Sequence, residues 1–289
     1  MTDPHPYPPD AILVDGDPAG GSDRPGSPVR GAVEVLREAY RAGVPCPPLR
    51  SRLLPEGDVA TAYQVQRAMA AEWVAHGRRP IGAKIGLTSE AVQRQLGVDQ
   101  PDCGVLLADL AVPDGEEVPW GRLLQPKVEA EVAFVLGADL PYQRVTTVDV
   151  IRATDHVLAA IEIADSRIAG WDISIVDTVA DNASSGMFVL GTEPRPLAGL
   201  DLRTCGMVLE QAGEPVSVGA GAACLGNPLH AVAWLAQVRA AAGDPLRAGD
   251  LVLSGALGPM VAATPGAAYE ARISGLGSVR VRFGPGGRP

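Results

Sequence analysis

Two glutamates stand one residue apart inside an apolar segment of the chain, Val128–Leu136 (VEAEVAFVL). The alternation and the valine and phenylalanine content predict a β-strand. In a strand, residues i and i+2 face the same side, so the carboxylates of Glu129 and Glu131 should project together from an otherwise buried element. Like charges at that separation repel each other. A divalent cation would relieve the repulsion, and oxygen-only ligands favour a hard ion such as Mg²⁺ or Mn²⁺.

A third glutamate, Glu162, lies in the middle of another short apolar run, Leu158–Ala164 (LAAIEIA). Burying a single carboxylate without a partner is costly. If this run forms a strand beside the first, then Glu129, Glu131 and Glu162 form a three-carboxylate metal site with open coordination positions. The alternative is that these acids lie on the solvated face of half-exposed strands, because charged residues are seldom fully buried. The pattern alone leaves both interpretations open.

The composition excludes several classes of function. The chain has 289 residues, 46% of them hydrophobic, so it can bury a large core as one large domain or two small ones. Its net charge of −10 argues against a nucleic-acid-binding surface. The four cysteines include no C-x-x-C pair and are expected to be buried free thiols. We find neither a secretory signal nor an apolar run of membrane length, so we expect a cytoplasmic protein.

The order of the segments predicts the architecture. Residues 1–28 are rich in Pro, Gly and Asp and are predicted to be a disordered or loosely attached tail. We expect a helical N-terminal part over 29–100 and a β-rich catalytic domain over 101–289. Helices are predicted over 31–42, 58–76 and 228–242, and strands over most of the last two thirds. This segregation of helices from strands predicts an α+β fold.

Common catalytic motifs are missing. The sequence has no G-x-S-x-G, no P-loop and no H-E-x-x-H. It therefore signals neither a serine nucleophile, nor a nucleotide phosphate site, nor a zinc site built on histidines.

Seven stretches nevertheless match a known family in order and spacing. They are Gly82–Ser89, Val98–Leu106, Gln125–Leu136, Asp177–Gly186, Leu225–Leu229, Leu253–Val261 and Gly275–Val279. From about residue 30 to 283 the chain resembles the 2-keto-4-pentenoate hydratases (2-hydroxypenta-2,4-dienoate hydratases) of bacterial aromatic degradation, which belong to the fumarylacetoacetate-hydrolase-like superfamily. It departs from them in its longer tail, in Cys103 where an aromatic residue is usual, and in Lys127 where arginine is common.

This resemblance implies a fold, a reaction and a set of functional residues. The fold would be a mixed α+β β-roll, assembled as a homo-oligomer and able to associate with a neighbouring pathway enzyme. The reaction would add water to a 2-hydroxydienoate, or to its 2-oxo tautomer, and give a 4-hydroxy-2-oxo acid. The resemblance assigns Mg²⁺ or Mn²⁺ to the three glutamates, and catalysis to Lys84 and Asp102.

The roles of the remaining residues each have an alternative. A lysine beside a bound cation would have a lowered pKa, which suits proton transfer, but Lys84 could instead form a structural ion pair with Asp102. Asn182, Ser184 and Ser254 match the family and could bind the substrate carboxylate. Such short polar side chains also commonly cap turns.

Three other functions compete with hydration. A 4-oxalocrotonate decarboxylase would use the same metal ligands, although the stretch Asp177–Asn182 looks more like the hydratases. An acylpyruvate-type C–C hydrolase usually needs a histidine-activated water, for which the chain offers poor candidates. A non-catalytic partner subunit is disfavoured because Lys84, Asp102 and the three glutamates are all present.

Overall fold

A computed structural model describes residues 27–90, 93–94 and 98–286. Residues 1–26 of the predicted tail lie outside these ranges. Within them, no helix is both long enough and apolar enough to cross a membrane. Helices and strands both contribute to the fold, as the α+β prediction requires.

Five α-helices form in the described residues. They are α1 (Pro28–Ala42), α2 (Val59–Ala75), α3 (Thr147–Ala153), α4 (Ile175–Ala180) and α5 (Pro228–Ala241). Local signals in the sequence set the ends of the longer ones. The Asp58 carboxylate accepts a hydrogen bond from Thr61 N at 3.0 Å at the start of α2. Asn227 caps α5 in the same way before Pro228, and Gly43 ends α1 with φ 61°.

The larger of two sheets has eight strands in the described residues and is mostly antiparallel. Its order is β2-β1-β10-β5-β6-β7-β3, with β11 also paired to β5. The strands are β1 (Pro80–Gly86), β2 (Asp102–Leu107), β3 (Ala111–Val112), β5 (Pro126–Leu136), β6 (Thr154–Asp165), β7 (Ser185–Leu190), β10 (Leu251–Ala256) and β11 (Val261–Ala262). Strand β1 precedes residue 100 and lies inside this sheet, between β2 and β10.

The second sheet has five strands in the order β4-β13-β12-β8-β9. They are β4 (Glu117–Val118), β8 (Gly206–Gln211), β9 (Glu214–Ala220), β12 (Ala268–Ile273) and β13 (Gly277–Phe283). Strands β12 and β13 lie against β6, so the two sheets share one core. That core is largely aliphatic, in keeping with a chain that has only three Phe, four Trp and five Tyr.

Strand β5 separates the core from the candidate site. Val128, Val132 and Phe134 point into the main core. The alternate residues point to the other face, where Ala133 packs in a smaller buried cluster with residues of β2, β6, β7 and β10. Glu129 and Glu131 lie on the same face as Ala133, so their carboxylates project from the face of the large sheet that is opposite the main core.

Candidate metal and catalytic site

The three predicted acids come together on one face of the large sheet. Strands β5 and β6 pair so that Glu129 lies directly opposite Glu162, and Glu131 follows two residues along the same face. One carboxylate oxygen from each of the three lies within 4.8 Å of the other two. Glu131 and Glu162 are 0% and 1% exposed, so a solvated face does not explain them. Glu129 is partly buried.

Most oxygens of the buried pair have no hydrogen-bond donor. Glu131 Oε2 accepts a hydrogen bond from Gly255 N at 2.8 Å. Within the described part of the chain, Glu131 Oε1 and both oxygens of Glu162 accept none. Lys84 Nζ forms an ion pair with Glu162 Oε1 at 3.1 Å. Since buried polar atoms are normally satisfied, these converging oxygens fit a hard divalent cation.

The crowding of these acids changes their protonation in the metal-free chain. Burial, together with the charge of Glu162, raises the pKa of Glu129 to about 7. Burial and the charges of Glu162 and Glu129 raise the pKa of Glu131 well above its ordinary value. Without a cation, the cluster should therefore hold protons near neutral pH. A bound cation would displace those protons.

Lys84 is buried in β1, with 4% exposure, and donates a hydrogen bond from Nζ to Ala183 O at 2.9 Å. Its ion-pair partner is Glu162, whereas the sequence-based alternative paired it with Asp102. Burial lowers the pKa of Lys84, but the charges of Glu162 and Asp102 outweigh burial and the net shift is upward. The expected lowering concerns a cation-bound site and stays a prediction; in the metal-free chain the surrounding carboxylates raise the pKa of the ammonium group instead.

Asp102 begins β2 and is 1% exposed. Its Oδ2 accepts a hydrogen bond from Thr178 Oγ1 at 3.2 Å, and burial raises the pKa of the carboxyl group. A Cβ at Gly86 would lie 2.2 Å from Asp102 Oδ1, so the opposite strand needs a glycine there. The next residue, Cys103, faces the other way, and its Sγ lies 3.6 Å from Tyr63 Oη. The unusual cysteine therefore contacts α2 and is turned away from the face that carries Asp102.

A buried left-handed turn carries the Ala183 carbonyl to Lys84. Asn182, Ala183 and Ser184 have φ values of 54°, 52° and 50°. Three successive non-glycine residues in the left-handed region of backbone conformation are strained, at about 1–2 kcal/mol each. The Asn182 side chain accepts a hydrogen bond from Val105 N at 2.8 Å and donates one to Val105 O at 3.0 Å. These bonds hold the turn against β2.

Arg167 supports the same turn and was not identified from the sequence. Its guanidinium group is buried and donates to Asp181 Oδ1 at 2.6 Å, to Asp181 O at 2.8 Å and to Ser185 O at 2.9 Å. Both ends of the left-handed turn are therefore held by one side chain. No local pattern marks Arg167, since only the folded chain brings it to the turn.

The predicted substrate-binding serines also lie near the cluster. Ser184 Oγ lies 3.3 Å from Thr178 Oγ1, the hydroxyl group that donates to Asp102. Ser254 is fully buried in β10 and immediately precedes Gly255, whose N–H donates to Glu131. Substrate binding by Asn182, Ser184 and Ser254 stays a prediction.

Comparison with known proteins agrees with this geometry. The family model for the fumarylacetoacetate (FAA) hydrolase C-terminal region matches residues 72–283. The chain is 56% identical over 255 residues to the TodF product hydratase of Pseudomonas putida (strain F1), covering 88% of this chain and 95% of that one. It is 54% identical over 252 residues to the 2-keto-4-pentenoate hydratase of Paraburkholderia xenovorans (strain LB400), covering 87% and 93%.

A solved structure shares the fold over most of the chain. This is 4-oxalocrotonate decarboxylase from Pseudomonas putida G7, complexed with magnesium and adipate. It is 38% identical with a TM-score of 0.85, and the match covers 88% of this chain and 97% of that one. With the family model and the relatives above, this shows that the chain belongs to the 2-keto-4-pentenoate hydratase family, within the fumarylacetoacetate-hydrolase-like superfamily.

Proposed function

We propose that this chain is a metal-dependent hydro-lyase that adds water to 2-hydroxypenta-2,4-dienoate or a close analogue, giving a 4-hydroxy-2-oxo acid. One observation carries the proposal: a buried lysine joins three converging carboxylates in a chain that is 54–56% identical to relatives named as hydratases of this kind. Metal dependence is part of the proposal and is supported by Glu131 Oε1 and Glu162 Oε2, which have neither a hydrogen bond nor an ion pair among the described residues.

Glu129, Glu131 and Glu162 would hold the cation. Bound Mg²⁺ or Mn²⁺ would supply Lewis acidity toward the carboxylate and 2-oxo oxygens of the substrate. The protein keeps the other side of each carboxylate fixed, through Gly255 N on Glu131 and Lys84 on Glu162. These contacts orient the ligands before any ion arrives, which reduces the cost of assembling the site.

Lys84 and Asp102 would move the protons. The hydration needs one proton removed from the 2-hydroxyl group and one delivered to the distal carbon of the dienol, then one removed from the attacking water and one delivered to the carbon beside the keto group. In the metal-free chain the carboxylate neighbours raise the pKa of Lys84 and keep it an ammonium group, and its burial beside the cluster suits a proton donor. The raised pKa of Asp102 and its bond to Thr178 suit a carboxyl group that exchanges a proton.

Decarboxylation of a 2-oxo diacid is the second candidate, because the solved decarboxylase shares the fold at 38% identity. The hydratase relatives are closer in sequence, at 54–56% identity. The two activities separate in one assay. Purified protein with Mg²⁺ should consume 2-hydroxypenta-2,4-dienoate without releasing CO₂, and should release little CO₂ from 4-oxalocrotonate.

The Lys84→Met variant tests the proposed chemistry. We expect kcat for hydration to fall at least ~100-fold, because a positioned proton donor is lost, while circular dichroism shows an intact fold. Arg144→Met removes the same charge from an exposed position and should keep kcat within about twofold. Turnover by Lys84→Met within tenfold of wild type would remove Lys84 from the mechanism.

Turnover by the purified chain alone would also dismiss a non-catalytic partner role. Homo-oligomeric assembly, association with a pathway enzyme and a cytoplasmic location remain part of the proposal. Substrate binding by Asn182, Ser184 and Ser254 belongs to it as well.

A further inference from the structure

The chain uses lysine at only two positions, Lys84 and Lys127, among its 24 lysine and arginine residues. Both lie on strands of the large sheet that border the carboxylate cluster. Lys84 forms an ion pair with Glu162 and donates a hydrogen bond to the Ala183 carbonyl. Lys127 lies on the same face of β5 as Glu129, and among the described residues no carboxylate forms an ion pair with it. This second ammonium group is therefore available to a ligand.

An aromatic ring holds the ammonium group of Lys127 in place. Its Nζ lies 4.1 Å from the centroid of the Trp171 ring. A cation–π contact fixes an ammonium group without neutralising its charge. The charge of Lys127 thus stays available while the side chain keeps one position.

The Trp171 ring is itself fixed by its surroundings. Its Nε1 donates to Gln125 O at 2.9 Å, and the Gln125 side chain accepts from Gly170 N at 2.7 Å and donates to Ile168 O at 2.8 Å. Trp171 has φ 55°, a strained value for a bulky residue. Such strain persists only where the surroundings enforce it, and it is concentrated at functional sites.

Lys127 also stands at the open side of the cluster. Glu131 and Glu162 are buried, whereas Glu129 is partly exposed. Glu129 is therefore the most solvent-accessible acid of the cluster, and Lys127 lies two residues further along the same face of the strand. Three carboxylates and the Lys84 ammonium leave two net negative charges, which a divalent cation would cancel. Lys127 then adds a positive charge on this face of β5 toward an incoming anion.

We propose that Lys127, held on the Trp171 ring, binds the carboxylate of the 2-oxo acid substrate at the mouth of the site. The identity of the substrate rests on the proposed function, but recognition of a small carboxylate by Lys127 does not.

Oxalate binding in the presence of Mg²⁺ tests this proposal without any turnover. By titration calorimetry, Lys127→Gln should weaken oxalate binding at least tenfold, about 1.4 kcal/mol, without weakening Mg²⁺ binding. Lys127→Arg should recover most of the affinity, because it restores the charge. Arg144→Gln makes the same charge change beyond the opposite end of β5 and should stay within twofold of wild type.

Nuclear magnetic resonance adds a direct readout because only two lysines are present. In protein labelled with ¹³C-lysine, oxalate with Mg²⁺ should shift the Lys127 Cε signal, which Lys127→Arg assigns by its disappearance. An unchanged Lys127 signal, or oxalate affinity unchanged in Lys127→Gln, would overturn the proposal. A third outcome is that wild-type protein binds oxalate through Lys127 and yet does not hydrate the dienoate. That result would refute the proposed reaction and leave this inference standing.

Discussion

The stability of the metal-free protein should fall as pH rises, which is unusual for a protein with this many acids. Burial and the neighbouring charge of Glu162 raise the pKa of Glu129 from 4.5 to about 7. A carboxyl group with a higher pKa in the folded state stabilises the fold below its unfolded pKa, and loses that contribution as pH rises through its folded pKa. For Glu129 the loss falls between about pH 5 and about pH 8. It amounts to about 2–3 kcal/mol, allowing for partial exposure of the side chain.

Urea unfolding after EDTA treatment, at several pH values in this range, measures the effect. The matched variant is Glu129→Gln, which cannot ionise and should lose at least about 2 kcal/mol less than wild type over the range. The value of about 2 kcal/mol is a lower bound, because removing the Glu129 charge also reduces the upward pKa shift of Glu131. Added Mg²⁺ should restore stability most at the highest pH, where protons no longer compete for the ligands. Equal pH profiles for the two proteins would refute the crowded-carboxylate argument.

Three further outcomes follow from the site. Arg167→Lys should reduce kcat at least tenfold, because it loosens the left-handed turn. The control Arg50→Lys perturbs the partly buried ion pair with Asp177; it should cost comparable thermal stability but leave kcat within about threefold. Equal losses of kcat in the two variants would contradict the role of the turn. Asn182→Ala should lower the free energy of unfolding by about 2–3 kcal/mol in urea melts, since two hydrogen bonds are lost. Glu162→Gln should weaken Mg²⁺ binding at least tenfold in calorimetry, because one of three charged ligands is lost; unaltered affinity would exclude Glu162 as a ligand.

The elements nearest the site were predictable because their signals are local. Alternating apolar residues predicted the strand that carries Glu129 and Glu131, and the caps at Asp58 and Asn227 marked the starts of α2 and α5. The proximity of Glu162 to Glu129 and Glu131 depends on the β5–β6 register. From the sequence this proximity followed only if the two segments formed neighbouring strands. The four cysteines are buried and free, as expected. The division of the chain at residue 100 stays a prediction.

The left-handed turn could not have been predicted from the sequence. Asn182–Ser184 contains no glycine to mark its positive φ values. The turn exists because Arg167, fifteen residues upstream of Asn182, and Val105 of another strand hold it from both sides. The raised pKa of Lys84 in the metal-free chain could not be predicted for a related reason. It depends on the summed charges of several strands, and a single segment does not contain them.

The sequence by itself determined which atoms the site would contain. It placed three carboxylates and one lysine in short apolar strands, and that chemistry favours a hard cation provided that the fold brings the acids together. Only the tertiary structure decided how these groups are paired. Strand register set Glu129 opposite Glu162, and a strained turn set a carbonyl on Lys84. The physical reason is range: side-chain periodicity acts over a few neighbouring residues, whereas burial and Coulomb interactions add up over every strand that the fold brings together.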